Sequence, residues 1–315
     1  MSGVIPAPVR EILDRGSFCH VAASTPSGPH VTPMVFAAAA GGVWVTTSRG
    51  SVKARAWRAD PRVAGSVRDG GRAVAFAGTV TTYDLLDAES WGRSLTHGPL
   101  LALAGARFTR KNARFFAGYA VDANRVPLAW TPPGRVFAEI RVERSAVLED
   151  GRVRSAWGEW GDAVESLDRF RATRAGEPVL AHVPDTAFGD AGDGVLGIEA
   201  PAGPVALPVR WAAQGGGVYA ALHRDALALA GAKGDPKVAL EIDRPSTWRA
   251  RAMVGAMIRG EGEVAVAGDL SSGASSATRI ARLAGVGGDD AALVRVRPRS
   301  VVWWRGWSSG TVALG

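Results

Sequence analysis

A shift of 175 positions lays residues 21–67 of this 315-residue chain on residues 196–242 without a gap, and 14 of the 47 aligned pairs are identical. The identities fall on whole turn signals: Gly28-Pro29 on Gly203-Pro204, Gly41-Gly42 on Gly216-Gly217, and Asp60-Pro61 on Asp235-Pro236. Coincidence in an Ala- and Gly-rich chain would scatter single matches, so the pattern reads as a duplicated structural unit. Any fold for the first copy must therefore also serve the second. The expected organisation is a first domain over 1–150, a linker helix and loop over 151–194, and a degenerate repeat over 195–315.

Within the first copy, residues 9–15 carry Val9, Ile12 and Leu13 at helical spacing, and Gly16 ends that segment. Residues 18–24 and 30–38 read as strands around the Pro26-Ser27-Gly28-Pro29 turn. Gly41-Gly42 closes a hairpin into a strand over 43–48, where Val43, Val45 and Thr47 alternate with Trp44, Thr46 and Ser48. Residues 85–95 and 100–116 read as helices. The second carries Arg107, Arg110, Lys111 and Arg114 on one stripe, which is taken as a solvated face. Residues 135–148 return to alternation and close the unit, as residues 292–304 do in the second copy. Between the copies, residues 162–174 read as a linker helix and residues 189–194 as a flexible glycine-rich loop. Several short strands joined by Gly and Pro turns predict a nearly closed antiparallel barrel, present twice.

Arg49, Ser51 and Lys53 follow the 43–48 strand at once. They offer a guanidinium fork, a hydroxyl and an ammonium within one helical turn, the donor set that suits a phosphate. A helix opening there adds free backbone N–H groups, and Asp60-Pro61 stops it. Lysine is scarce, with four among 37 basic residues, and one of the four sits in this cluster.

Residues 26–36 (PSGPHVTPMVF), the Gly41-Gly42 turn, the run TTSRGSVKARAWRADPRV and the strand over 74–83 resemble the pyridoxamine 5'-phosphate oxidase-like FMN-binding split barrels, including their deazaflavin-dependent relatives. The resemblance implies a mainly β fold with flanking helices, built as two tandem split β-barrels packed as an intrachain pseudo-dimer. It implies phosphate binding by Arg49, Ser51 and Lys53, and cofactor contacts from Val31, Thr32, Pro33, Met34, Thr46, Thr47 and Ser48. The implied cofactor is FMN, with the deazaflavin coenzyme F420 as the alternative. Many members carry Asn where this chain has Ala56, so no contact is carried over at that position. In the second copy Ser51 and Lys53 face Ala226 and Ala228, Thr46 and Thr47 face Ala221 and Leu222, and Arg49 alone keeps its counterpart, Arg224. The second copy is therefore expected to be a wall without its own phosphate site, with Trp211 and Trp303 as candidates to approach the ring.

A net charge of +7 favours anionic ligands. The lone Cys19 excludes an intrachain disulfide and suits a reducing, cytoplasmic setting, and an N-terminus with Glu11 and Asp14 lacks the pattern of a secretory signal. His20, His30, His97, His182 and His223 are scattered without ligand spacing, so no metal site is expected. GxSxG, Walker and Rossmann signatures are missing. Two functions remain: a flavin-dependent oxidoreductase acting by hydride transfer on a small-molecule substrate, or a non-catalytic flavin- or haem-binding sensor. Neither a nucleic-acid nor a membrane partner is expected, and the chain should be a monomer with pseudo-dimeric repeats or a homodimer of these.

Overall fold

The structure is a computed structural model describing residues 5–84, 86–122, 134–165, 178–183, 188–266, 280–286 and 290–314. The first copy opens with α1 (Ala7–Arg15), followed by β1 (Phe18–Thr25), β2 (Gly28–Ala39), β3 (Gly42–Ser48), α2 (Val52–Ala59), β4 (Arg62–Asp69) and β5 (Arg72–Tyr83). Helices α3 (Ala88–Thr96), α4 (Gly98–Lys111) and α5 (Ala113–Val121) then precede β6 (Arg135–Glu149) and β7 (Arg152–Trp157). The second copy runs β8 (Ala191–Ala200), β9 (Gly203–Gln214), β10 (Gly217–His223), α6 (Arg224–Ala228), β11 (Lys237–Arg244), β12 (Val254–Val266), β13 (Ala291–Arg305) and β14 (Ser308–Ala313).

Each copy is an antiparallel sheet closed into a six-stranded barrel plus one extra strand. The orders are β3-β2-β1-β4-β5-β6-β7 and β10-β9-β8-β11-β12-β13-β14, with β3–β6 and β10–β13 closing the barrels. Alternation decides the faces. On β1, Cys19, Val21 and Ala23 fill the barrel, while Ala22 joins a separate apolar cluster between the barrels. Val9, Ile12 and Leu13 of α1 and Trp57 of α2 complete the first core.

The copies agree in fine detail. Strands β9, β10 and β11 have the bounds of β2, β3 and β4 displaced by 175, and both barrels bend at a bulge before Gly78 or Gly260. A side chain at Gly78 would strike the Arg141 carbonyl, and one at Gly260 the Arg297 carbonyl, so only glycine admits the partner strand there.

Several expectations need correction. The positive φ values of the first hairpin belong to Ala40 (50°) and Gly41 (83°), with Gly42 already in the strand. Residues 189–194 are not wholly a loop, since β8 begins at Ala191; a side chain at Gly192 would press on the Trp211 ring, and one at Gly194 would strike the Glu241 carbonyl. The helix expected over 100–116 is divided at Asn112, whose amide donates to the Phe36 carbonyl (3.1 Å) and the Phe108 carbonyl (2.9 Å). The basic stripe is not one solvated face: Lys111 folds over the Phe36 ring and donates to the Leu13 carbonyl, and Arg107 pairs with Asp14. Residues 162–165 of the expected linker helix are not helical, and the rest of it lies outside the described residues. Among the described residues no helix is long and apolar enough to cross a membrane.

The barrels pack through β1, β2, β4 and β5 of the first copy against β8, β9, β11 and β12 of the second. Two hydrogen bonds across this seam form a reciprocal pair. Arg62 donates to the Pro201 carbonyl (3.4 Å) and Lys237 to the Pro26 carbonyl (3.0 Å), and both donors and both acceptors are 175 residues apart. That reciprocity is the signature of an isologous interface, here within one chain.

Candidate functional site

β3 ends at Ser48, and the chain turns into α2 with Ser51 as its cap: the Ser51 hydroxyl accepts from the Ala54 amide (3.1 Å). Thr47 faces the barrel side of β3 and its hydroxyl donates to Ser51 Oγ (3.0 Å). One residue into the helix, Lys53 is buried, with its ammonium on the Thr32 hydroxyl. Among the described residues Thr32 is its one hydrogen-bond partner. Burial pushes the Lys53 pKa down to about 7, and Glu241 of the second barrel pulls it back up. Thr32, Thr47, Ser51 and Lys53 thus meet around the first turn of α2, beside the seam.

Arg49 stands at the edge of this group. Its guanidinium pairs with Asp84, a buried carboxylate that also faces Arg58 at 3.9 Å and accepts from the Leu86 amide. One ion pair leaves further N–H groups of the guanidinium fork for another acceptor.

The other expected contacts are dispersed. Thr46 lies on the opposite face of β3, donating to the Val136 carbonyl (3.1 Å) and accepting from Arg135. Ser48 offers its carbonyl to the Ser51 amide. Met34 packs in the first barrel core, and Pro33 is half-buried opposite His20. Val31 lies in the seam, with its amide on the Met257 sulfur (3.1 Å). Trp211 is buried in the core of the second barrel and Trp303 packs against that core; among the described residues, Trp160 and Trp304 pack in the cluster between the barrels, and Trp307 of the second copy packs against Phe18, Val35 and Phe115 of the first, its ring 5.4 Å from that of Tyr119. In the second copy the cap is gone. His223 precedes α6 without a side-chain cap bond, and Ala226 is fully buried.

Sequence reasoning missed the partners. Asp84 follows β5 with no motif to flag it. Glu241 had a signal: on β11, Val238, Leu240 and Ile242 fill the second barrel while Ala239 packs in the seam, so Glu241 shares the seam-facing set. An acid on that face, in a strand the repeat predicts to lie at an interface, marks a polar seam.

Fold and site together describe a tandem split-barrel protein whose first copy carries a cluster of hydroxyl and cationic side chains at the turn into α2. Residues 7–91 match the family model described as pyridoxamine 5'-phosphate oxidase, and in this copy the chain resembles that FMN-binding split-barrel family. Three similar solved structures are a conserved hypothetical protein from Mycobacterium tuberculosis, an F420 reductase, and a pyridoxamine 5'-phosphate oxidase-related FMN-binding protein from Nostoc punctiforme. The first is 22% identical, covers 47% of this chain and 86% of its own, and has a TM-score of 0.34. The corresponding values are 23%, 45%, 98% and 0.31 for the second, and 16%, 47%, 86% and 0.34 for the third. A search of curated proteins found no match.

The donor chemistry of the α2 turn suits the phosphate of such a cofactor: an ammonium with bonding capacity to spare, three hydroxyls, a guanidinium and a helix N-terminus.

Proposed function

We propose that the first barrel binds a flavin-type cofactor, FMN or the deazaflavin F420, by its phosphate end, and that the chain is an oxidoreductase acting on a small molecule. The observation that carries this reading is the meeting of Ser51, Lys53, Thr32 and Thr47 at the start of α2, within the stretch matched by the family model. When bound, such a cofactor supplies the hydride chemistry, so the protein's share is binding, orientation and exclusion of water.

Lys53 is suited to that share. Burial disfavours its charged form, and a dianion beside it would restore the charge and draw on its unused donors. Arg49 closes the turn from the exposed side, held by Asp84 in a fixed orientation. The second barrel contributes an apolar wall along the seam, where Val195, Ala239 and Met257 pack with Val31. A single chain then does the work of a dimer, because the tether keeps the partner barrel at high effective concentration.

The test is the visible spectrum of full-length protein purified without added cofactor, followed by fluorescence titration with FMN and with F420 and by the amount of chromophore released on denaturation. One cofactor per chain is expected, reduced and reoxidised while bound. Protein that is colourless and takes up neither compound would overturn the reading, and two per chain would refute the assignment of the second copy as a wall.

A further inference from the structure

We propose that His20, Glu241 and Asp243 form a binding site for one first-row divalent cation, shared between the two barrels. His20 stands on the seam face of β1, and Glu241 and Asp243 stand two residues apart on the facing side of β11. His20 Nε2 lies 3.4 Å from Glu241 Oε2 and 3.3 Å from Asp243 Oδ1, and the three candidate ligand atoms all fall within 4.8 Å of one another. Metal–ligand bonds of about 2.0–2.2 Å in a tetrahedron set ligand atoms about 3.3–3.6 Å apart, the spacing found around His20.

An independent observation points to a missing partner. Glu241 is 0% exposed, and neither of its carboxylate oxygens has a hydrogen-bond partner. Asp243 Oδ2 and His20 Nδ1 are likewise buried and unbonded. Polar atoms this deep are ordinarily paired, because an unbonded buried carboxylate has lost its hydration without compensation.

The neighbouring cations act on these acids through space, but their hydrogen bonds go elsewhere. Arg68 donates to the Gly194 carbonyl (3.0 Å) and the Val209 carbonyl (2.6 Å) and pairs with Asp193, while Lys53 binds Thr32. A divalent cation would accept the imidazole lone pair and one oxygen from each acid, and its two charges would balance the two carboxylates. One nitrogen and two oxygen donors favour zinc, manganese or ferrous iron over calcium or magnesium, which prefer all-oxygen shells. The equivalent positions across the pseudo-twofold are Val195, Ser66 and Arg68, which make no such set, so each chain holds one site.

The test uses untagged full-length protein, stripped with a chelator and dialysed against zinc or manganese chloride, with bound metal counted by atomic emission. One equivalent of zinc or manganese per chain and a raised melting temperature are expected. His20→Gln and Asp243→Asn should each weaken binding at least tenfold while leaving the circular dichroism unchanged. No stoichiometric uptake by the wild type, or undiminished binding in either variant, overturns the proposal. Should a variant fail to fold, the spectrum of cobalt-loaded wild type decides: a protein-bound cobalt band supports the site, and the spectrum of hydrated cobalt alone overturns it.

Discussion

The Ser24 hydroxyl donates to the Glu199 carboxylate at 2.7 Å, and the two residues occupy the same position in the two copies. A residue meets its own counterpart only where a twofold axis passes between them, so this bond marks the pseudo-axis that relates the barrels. The reciprocal pair of Arg62 with Pro201 and Lys237 with Pro26 is arranged about it.

A seam built this way should couple the barrels in unfolding. Val31 is fully buried between them. Truncating it to Ala should cost about 1–3 kcal/mol by lost burial and residual cavity. Denaturant titration of the full chain is expected to show one cooperative transition, shifted as a whole by Val31→Ala. Two separate transitions, one of them unmoved by the substitution, would show that the barrels unfold independently.

Removing a cation from the α2 turn should weaken cofactor binding. Lys53→Ala and Arg49→Ala each delete a charge-assisted bond worth about 1.5–3 kcal/mol, a loss of roughly tenfold or more in affinity. Ser51→Ala also removes the α2 cap, so a smaller affinity loss accompanied by about 1 kcal/mol of destabilisation is expected there. Unchanged affinity in both cation variants would place the phosphate elsewhere.

The buried ammonium also predicts a pH dependence. Lys53 has its pKa lowered to about 7 in the folded protein, whereas an unfolded lysine titrates near about 10.4. Between those values the unfolded chain carries a proton that the folded chain lacks, so stability from this group rises with pH and its penalty is fully felt below the folded pKa. Melting curves of cofactor-free wild type should climb relative to those of Lys53→Met as pH increases from neutral to mildly alkaline. Parallel curves would show that Lys53 remains charged in its site.

Cys19 should be silent. It is fully buried in the first barrel, and burial pushes its thiol pKa up to about 12. Since the thiolate is the reactive form, thiol reagents should leave the native protein unmodified and label one equivalent after denaturation. Rapid labelling of the native state would mean that the barrel opens at β1.

The strands and their turns were legible because they obey local rules. Alternation on β3, glycine at the hairpins and Asp-Pro after α2 mark elements whichever partner they meet, and the 175-residue repeat carried them into the second copy. That shift fails where the copies diverge: β12 corresponds to β5 displaced by 182, and β13 to β6 displaced by 156, because the loops and helices between strands differ in length. The cationic turn was legible as a donor set, but its surroundings were not. Asp84 reaches Arg49 from 35 residues away and Glu241 influences Lys53 from another barrel, and no periodicity encodes a contact between separate units. The His20 cluster was hidden for the same reason, with His20 more than 200 residues from Glu241 and Asp243 and no pair of them at helical spacing.

Arg68 and Asp243 hold the same place in the two barrels with opposite charge, and the Asp243 carboxylate favours the charged form of Arg68 across the seam. In an assembly of identical subunits that arrangement cannot be inherited, since one codon writes both sides of the axis and would set arginine facing arginine or aspartate facing aspartate. Joining the copies in one gene gives each side its own codon. Mutation can then specialise one face for holding a ligand and the other for closing over it.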